Sequence, residues 1–83
     1  MKGPFHVYIL QCADSSLYVG CTNDLERRLK QHNNEKSGAH YTKMRRPVML
    51  VHKEEFETLS EGRKREAQIK SWRRKKKLHL ISQ

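Results

Sequence analysis

Glu66 falls two helical turns after Leu59 and one turn before Ile69, so the three share one face of a helix. That face is predicted to look inward. An inward carboxylate is costly unless it is ion-paired or binds a cation, and the surrounding Lys and Arg residues offer the first arrangement as readily as a metal ion offers the second. Arg28 and His32 stand four residues apart and project from one side of another helix, next to the apolar positions Leu25 and Leu29. A solvated helix flank accounts for Arg28 equally well, and His32 can serve the negative end of the helix dipole. Tyr8 and Tyr18 lie one on each of two predicted strands; a phenol there either packs across the strands or positions and deprotonates a water.

The fourth feature is charge. Arg63, Lys64, Arg65, Lys70, Arg73, Arg74, Lys75, Lys76 and Lys77 place nine cations in fifteen residues against the single acid Glu66, and the segment Lys43-Met44-Arg45-Arg46 adds three more. Eighteen Lys and Arg against nine Asp and Glu give a net charge of +9, which points to a polyanion and above all to nucleic acid. Trp72 beside Arg73 suits either a stacked base or a core anchor. The five histidines lack the paired spacing of a zinc site, and no Gly-rich phosphate loop or Ser-His-Asp order is present. No apolar run approaches the ~20 residues of a membrane-spanning helix, and the Phe5–Leu10 stretch is too short and too polar for a signal peptide. Two cysteines, Cys12 and Cys21, are far below a disulfide scaffold, so a reduced cytoplasmic protein is expected.

These residues need elements to hold them. Eighty-three residues make one domain, 1–83, with a thin core. Phe5–Gln11 and Leu17–Cys21 read as two strands joined by the turn-forming Ala13-Asp14-Ser15-Ser16. Gly20 either weakens the second strand or lets another chain approach it closely. Asn23 is the expected N-cap of a first helix, with Glu26 completing a capping box and an end near Asn33-Asn34. The segment 35–46 shows no period. A third strand is expected over Val48–Lys53 after Pro47. Thr58 and Glu61 form a second capping box, opening a helix that runs to about Ser71 or Trp72, and a short terminal helix over 73–81 should pack Leu78 and Ile81.

In order, Val7-Tyr8, Tyr18-Val19-Gly20, Arg28, His32 and Glu66 resemble the GIY-YIG nuclease superfamily, with His6-Val7-Tyr8 and Tyr18-Val19-Gly20 as the two half-motifs. The Arg lies eight residues past the Gly and the His four further on. Arg65-Glu66-Ala67-Gln68-Ile69-Lys70 is similar to the helix that carries the metal-binding Glu. Tyr41-Thr42, Arg46-Pro47 and the ending Lys77-Leu78-His79-Leu80-Ile81 look like the small stand-alone bacterial members. The resemblance covers nearly the whole chain. It implies an α+β, sandwich-like fold of order β-β-α-β-α-α, a small three-stranded antiparallel sheet flanked by helices.

The resemblance also implies a metal-dependent endonuclease that hydrolyses DNA phosphodiester bonds, on branched, flapped or damaged DNA. Tyr8 and Tyr18 would line the water pocket, one of them as general base. Arg28 would stabilise charge on the phosphoryl oxygens, His32 would orient the water or the tyrosine, and Glu66 would hold one divalent ion, Mg²⁺ or Mn²⁺. Mg²⁺ keeps several waters, so one carboxylate beside the substrate phosphate suffices. Gly20, Lys43, Arg45, Arg46, Arg63, Lys70, Arg73, Arg74, Lys75, Lys76 and Lys77 would meet the DNA. Such cations give affinity for phosphate without sequence readout, which leaves room for a protein partner that supplies specificity. The charge and one departure, that no Asn follows Asn34, favour an alternative, a non-catalytic nucleic-acid-binding module with the same fold; a second departure, His6 where the first half-motif opens with Gly, is one that small members tolerate.

Overall fold

The computed structural model describes residues 3–34, 42 and 44–83. Strands β1 (Phe5–Gln11) and β2 (Leu17–Thr22) form a hairpin, followed by helix α1 (Leu25–Asn34), strand β3 (Met49–Phe56) and helices α2 (Leu59–Lys70) and α3 (Arg74–Ile81). The three strands make one antiparallel sheet in the order β2-β1-β3. This is the expected α+β architecture and order.

β1 is central and its side chains alternate between the two faces. Val7 and Ile9 join Val19 and Ile69 in one buried cluster, with Leu80, Ile81 and Trp72 packed against it. Tyr8 and Leu10 join Cys12 and Val48 in a second, against which Leu25, Leu29 and Tyr18 pack. So α1 covers one face of the sheet, and α2 and α3 cover the other. The Leu25–Leu29 stripe packs as its spacing predicts. The terminal helix differs: Leu80, not Leu78, joins Ile81 at the core, and Leu78 is left 41% exposed.

The hairpin turn is closed by Cys12 and Ser16, with Asp14 Oδ1 accepting from the Ser16 amide at 3.0 Å and Ser15 taking the left-handed conformation at φ 69°. Two boundaries depart from expectation. Asp24, not Asn23, caps α1, because its Oδ1 accepts from the Arg27 amide at 3.1 Å while Thr22 Oγ1 accepts from the Asp24 amide at 3.1 Å. β3 starts one residue past Val48 and runs on to Phe56. Val48 is held from outside the sheet: its amide donates to Asn33 Oδ1 at 2.8 Å and its carbonyl accepts from Asn33 Nδ2 at 3.1 Å. The extension through Glu54-Glu55-Phe56 survives because its charges are matched. His6 lies 3.4 Å from Glu55, and Arg65 grips both Glu54 oxygens at 2.8 and 3.1 Å. Thr58 caps α2 as expected, its Oγ1 accepting from the Glu61 amide at 3.2 Å, while its hydroxyl donates to Glu61 Oε1 at 2.9 Å.

Candidate active site

Tyr8 is the centre of the site. It points from β1 toward α1 and is 1% exposed. Its cross-strand partner is Gly20, and a Cβ at Gly20 would come within 2.5 Å of the Tyr8 Cζ. The glycine is required because the phenol lies where its side chain would be. The close approach that Gly20 admits is therefore that of Tyr8. Tyr18, two residues earlier on β2, brings its ring to 6.4 Å from that of Tyr8 and remains half-buried.

α1 supplies the other groups. His32 is fully buried, its Nε2 2.9 Å from the Tyr8 hydroxyl and its Nδ1 2.7 Å from Thr42 Oγ1. Its ring meets Tyr18 edge-on at 5.0 Å. Arg28, one turn earlier, hydrogen-bonds Tyr8 and donates to Gln31 Oε1 at 3.0 Å. Beside Arg28 a polar cleft of about 420 Å³, lined by Thr22, Asn23, Asp24, Arg27, Arg28 and Gln31, opens to solvent. Burial pushes the Tyr8 phenol up to about 12; the nearby Tyr18 adds to this, Arg28 opposes it, and Glu66 adds a smaller upward push. Burial, with Arg28 and Arg46 adding to it, pulls the His32 imidazole down to about 4, so the ring is neutral at neutral pH.

Glu66 comes from α2, on the other face of the sheet, yet its charge is felt at both Tyr8 and Cys21. Its side chain is only 12% exposed, and the ammonium of Lys70 lies 2.9 Å from Oε2. The ion-pair reading of this inward carboxylate is therefore correct as far as it goes. The pair is between neighbouring turns, with Lys70 54% exposed, so it contributes only about 0.3–0.5 kcal/mol and is readily exchanged for another cation. Among the described residues no three His, Cys, Asp or Glu side chains come together as a metal cage.

The structure thus brings together Tyr8, Tyr18, Arg28 and His32 in one cluster and sets the charge of Glu66 beside it. The basic set divides. Arg63 and Lys70 belong to the Glu66 neighbourhood. Arg46 donates to the carbonyls of His32 and Gln31, satisfying the last turn of α1. Arg45 Nε pairs with Asp14 Oδ2 at 3.0 Å and ties this segment to the hairpin turn. Arg73, Arg74, Lys75, Lys76 and Lys77 lie on or next to α3, which packs over β3, the edge strand opposite β2. Lys43 and Tyr41 lie outside the described residues. Trp72 is packed against the core, with the Lys76 ammonium 4.5 Å and the Arg65 guanidinium 5.1 Å from its ring centre. Sequence reasoning missed Thr42 as a partner of His32, and missed Arg46 as a helix cap. Both come from the aperiodic stretch before β3, where no spacing rule relates them to α1.

A UPF0213 protein of Syntrophus aciditrophicus is 56% identical over 78 residues, covering 94% of this chain and 90% of its own. A UPF0213 protein of Staphylococcus saprophyticus is 54% identical over 78 residues, 94% of each chain. The solution NMR structure of a UPF0213 protein from Bacillus halodurans superposes with a TM-score of 0.63 at 40% identity, covering 99% of this chain and 84% of that one. The solution NMR structure of an Enterococcus protein (E. faecalis) gives 0.66 at 41% identity, covering 99% and 88%. The model of the GIY-YIG catalytic domain matches residues 4–79, a span that contains every group of the cluster. With its half-motif tyrosines, its helix-borne Arg and His and its inward Glu arranged around one sheet, the chain belongs to the GIY-YIG family.

Proposed function

We propose that this protein is a metal-dependent endonuclease that hydrolyses DNA phosphodiester bonds, acting on branched, flapped or damaged DNA. The observation that carries this reading is the meeting of Tyr8, Tyr18, Arg28 and His32 with the charge of Glu66, next to a polar cleft that leads to Arg28. The donor set fits a hard divalent ion. Glu66 offers oxygen only, it is nearly buried, and its present partner is a displaceable ammonium, so water and substrate phosphate would complete the shell. Bound at Glu66, Mg²⁺ or Mn²⁺ would polarise the phosphoryl group and neutralise charge on the leaving oxygen.

The chain's own residues do the rest. A phosphate entering the cleft meets the guanidinium of Arg28, whose planar donors suit two phosphoryl oxygens. As the water oxygen bonds to phosphorus and the bond to the leaving sugar oxygen breaks, the water's proton passes to a tyrosine oxygen that has first released its own proton to solvent, and the departing sugar oxygen takes up a proton from solvent. The Tyr8 hydroxyl is already engaged with His32 and buried, whereas Tyr18 is half-buried. This supports Tyr18 as the phenol that meets the water and Tyr8 as the one that holds Arg28. The basic helix α3 supports a polyanionic substrate. It opens on Arg74, Lys75, Lys76 and Lys77 with no acid in its first turn and no capping side chain, cations at the positive end of a helix dipole. That arrangement is unfavourable in the isolated protein and is offset by a phosphate backbone.

The test is cleavage of labelled flapped and branched duplexes with and without Mg²⁺ or Mn²⁺. Glu66→Ala and Arg28→Ala, with amide spectra showing intact folding, are expected to lose the metal-dependent cleavage. Survival of activity in both variants would refute the site. Absence of cleavage by the unaltered protein, combined with salt-sensitive DNA binding that Glu66→Ala leaves unchanged, would establish the alternative, a non-catalytic binding module. That alternative is favoured by the lack of any Asn after Asn34. We also propose that the protein works in the cytoplasm, where the thiols of Cys12 and Cys21 stay reduced.

A further inference from the structure

The resemblance assigns Thr42 no role in the site, yet its side chain is fully buried against the one ring nitrogen of His32 that does not face Tyr8. Among the described residues, His32 and Thr42 are the buried polar pair of the fold. Four groups therefore lie in series: Arg28, Tyr8, His32 and Thr42. Their chemistry sets a direction. Arg28 has only donors, so it donates to the Tyr8 oxygen. The Tyr8 proton is then free to go to His32 Nε2, which must present a lone pair to receive it. A neutral imidazole with a bare Nε2 carries its proton on Nδ1 and donates it to Thr42 Oγ1. In the opposite tautomer Nε2–H would also point at the Tyr8 oxygen, compete with Arg28 there, and leave the Tyr8 proton without this acceptor.

We infer that Thr42 is a positioning residue that holds His32 in the Nδ1–H tautomer and so gives the chain Arg28→Tyr8→His32→Thr42 a single polarity, which aims the Arg28 guanidinium at the substrate phosphate. The part of this that concerns substrate rests on the nuclease reading; the tautomer and the polarity do not. Thr42 touches no reacting atom. It acts through two intervening side chains, as the outer partner of a histidine acts on a ligand it never contacts.

The first experiment needs no variant. Nitrogen-15 spectra of the His32 ring at neutral pH are expected to show Nδ1 protonated and Nε2 bare; the reverse assignment would overturn the inference. Thr42→Val keeps the volume and removes the hydroxyl. It is expected to shift His32 toward the Nε2–H form, move the Arg28 Nε resonance, and lower kcat for metal-dependent cleavage by about tenfold with little change in KM. Thr42→Ser, which keeps the hydroxyl, should restore all three. An unchanged His32 tautomer in folded Thr42→Val, or a changed tautomer with unchanged Arg28 resonance and kcat, would overturn it. Should Thr42→Val fail to fold, the unaltered protein and Thr42→Ser still decide the tautomer. Should the unaltered protein cleave nothing, the nuclease reading fails, and the ring and guanidinium resonances still decide whether Thr42 sets the polarity.

Discussion

Burial acts in opposite senses on the two hydrogen-bonded partners Tyr8 and His32. It raises the phenol and lowers the imidazole, so both are held neutral across the physiological range. His32 then links stability to pH. Its folded value of about 4 lies below the ordinary 6.5, so unfolded chains take up a proton that folded chains refuse. The stabilisation is complete above pH 6.5 and is lost as the pH falls toward 4. Between pH 7 and pH 5 the loss is about 2 kcal/mol. Urea unfolding at the two pH values should show this drop in the unaltered protein and a smaller drop in His32→Gln; equal drops would refute it. At this scale the sequence was informative. The tyrosines, Arg28, His32 and Glu66 could each be singled out by type and spacing. Both readings of Glu66 are compatible with the structure, because Lys70 is a cation that another cation can displace. The pairing of His32 with Thr42 could not be read, since a hydrogen bond across ten residues of aperiodic chain leaves no spacing signature.

At the scale of elements, α1 depends on its first residue before the helix. Asp24 Oδ1 meets the Arg27 amide, while Asn23, an equally good cap by type, lies one position too early. Asp24→Ala is expected to cost about 1 kcal/mol in chemical unfolding, and Asn23→Ala less than about 0.5 kcal/mol. The reverse order would return the cap to Asn23. Composition cannot separate two adjacent capping residues; the extra hydrogen bond from the Asp24 amide to Thr22 Oγ1 separates them in the fold. The Thr58 cap was legible because no rival cap stands beside it. The length of β3 was not, because the charges of Lys53, Glu54 and Glu55 look like a strand end until Arg65 and His6 are in place to match two of them.

At the scale of the whole molecule, α3 packs with β3 on one face of the sheet, whereas the Tyr8–His32 pair lies under α1 on the other, so the cationic tail is set apart from that cluster. Cations at the far side can add affinity without entering the reaction. Arg74 and Lys75 are exposed and free of the Trp72 contact that engages Lys76. The double change Arg74→Gln, Lys75→Gln should reduce the slope of log affinity against log salt by roughly 2. Fluorescence anisotropy on a duplex from low to moderate salt measures this, and kcat for cleavage should hold. A slope that does not move would take α3 out of the DNA-binding surface.

By itself the sequence determined the elements and their order. These depend on local propensity and on apolar periods of two and three to four residues, which are written in neighbouring positions. Only the tertiary structure decided which groups lie together. It laid Tyr8 across Gly20, turned His32 between Tyr8 and Thr42, spent Arg46 on the end of α1, and set Glu66 beside the cluster from the opposite face of the sheet. It also put Leu80 rather than Leu78 into the core. Those outcomes depend on contacts between residues far apart in the chain, and there the desolvation of each polar group, not its local spacing, selects its partner.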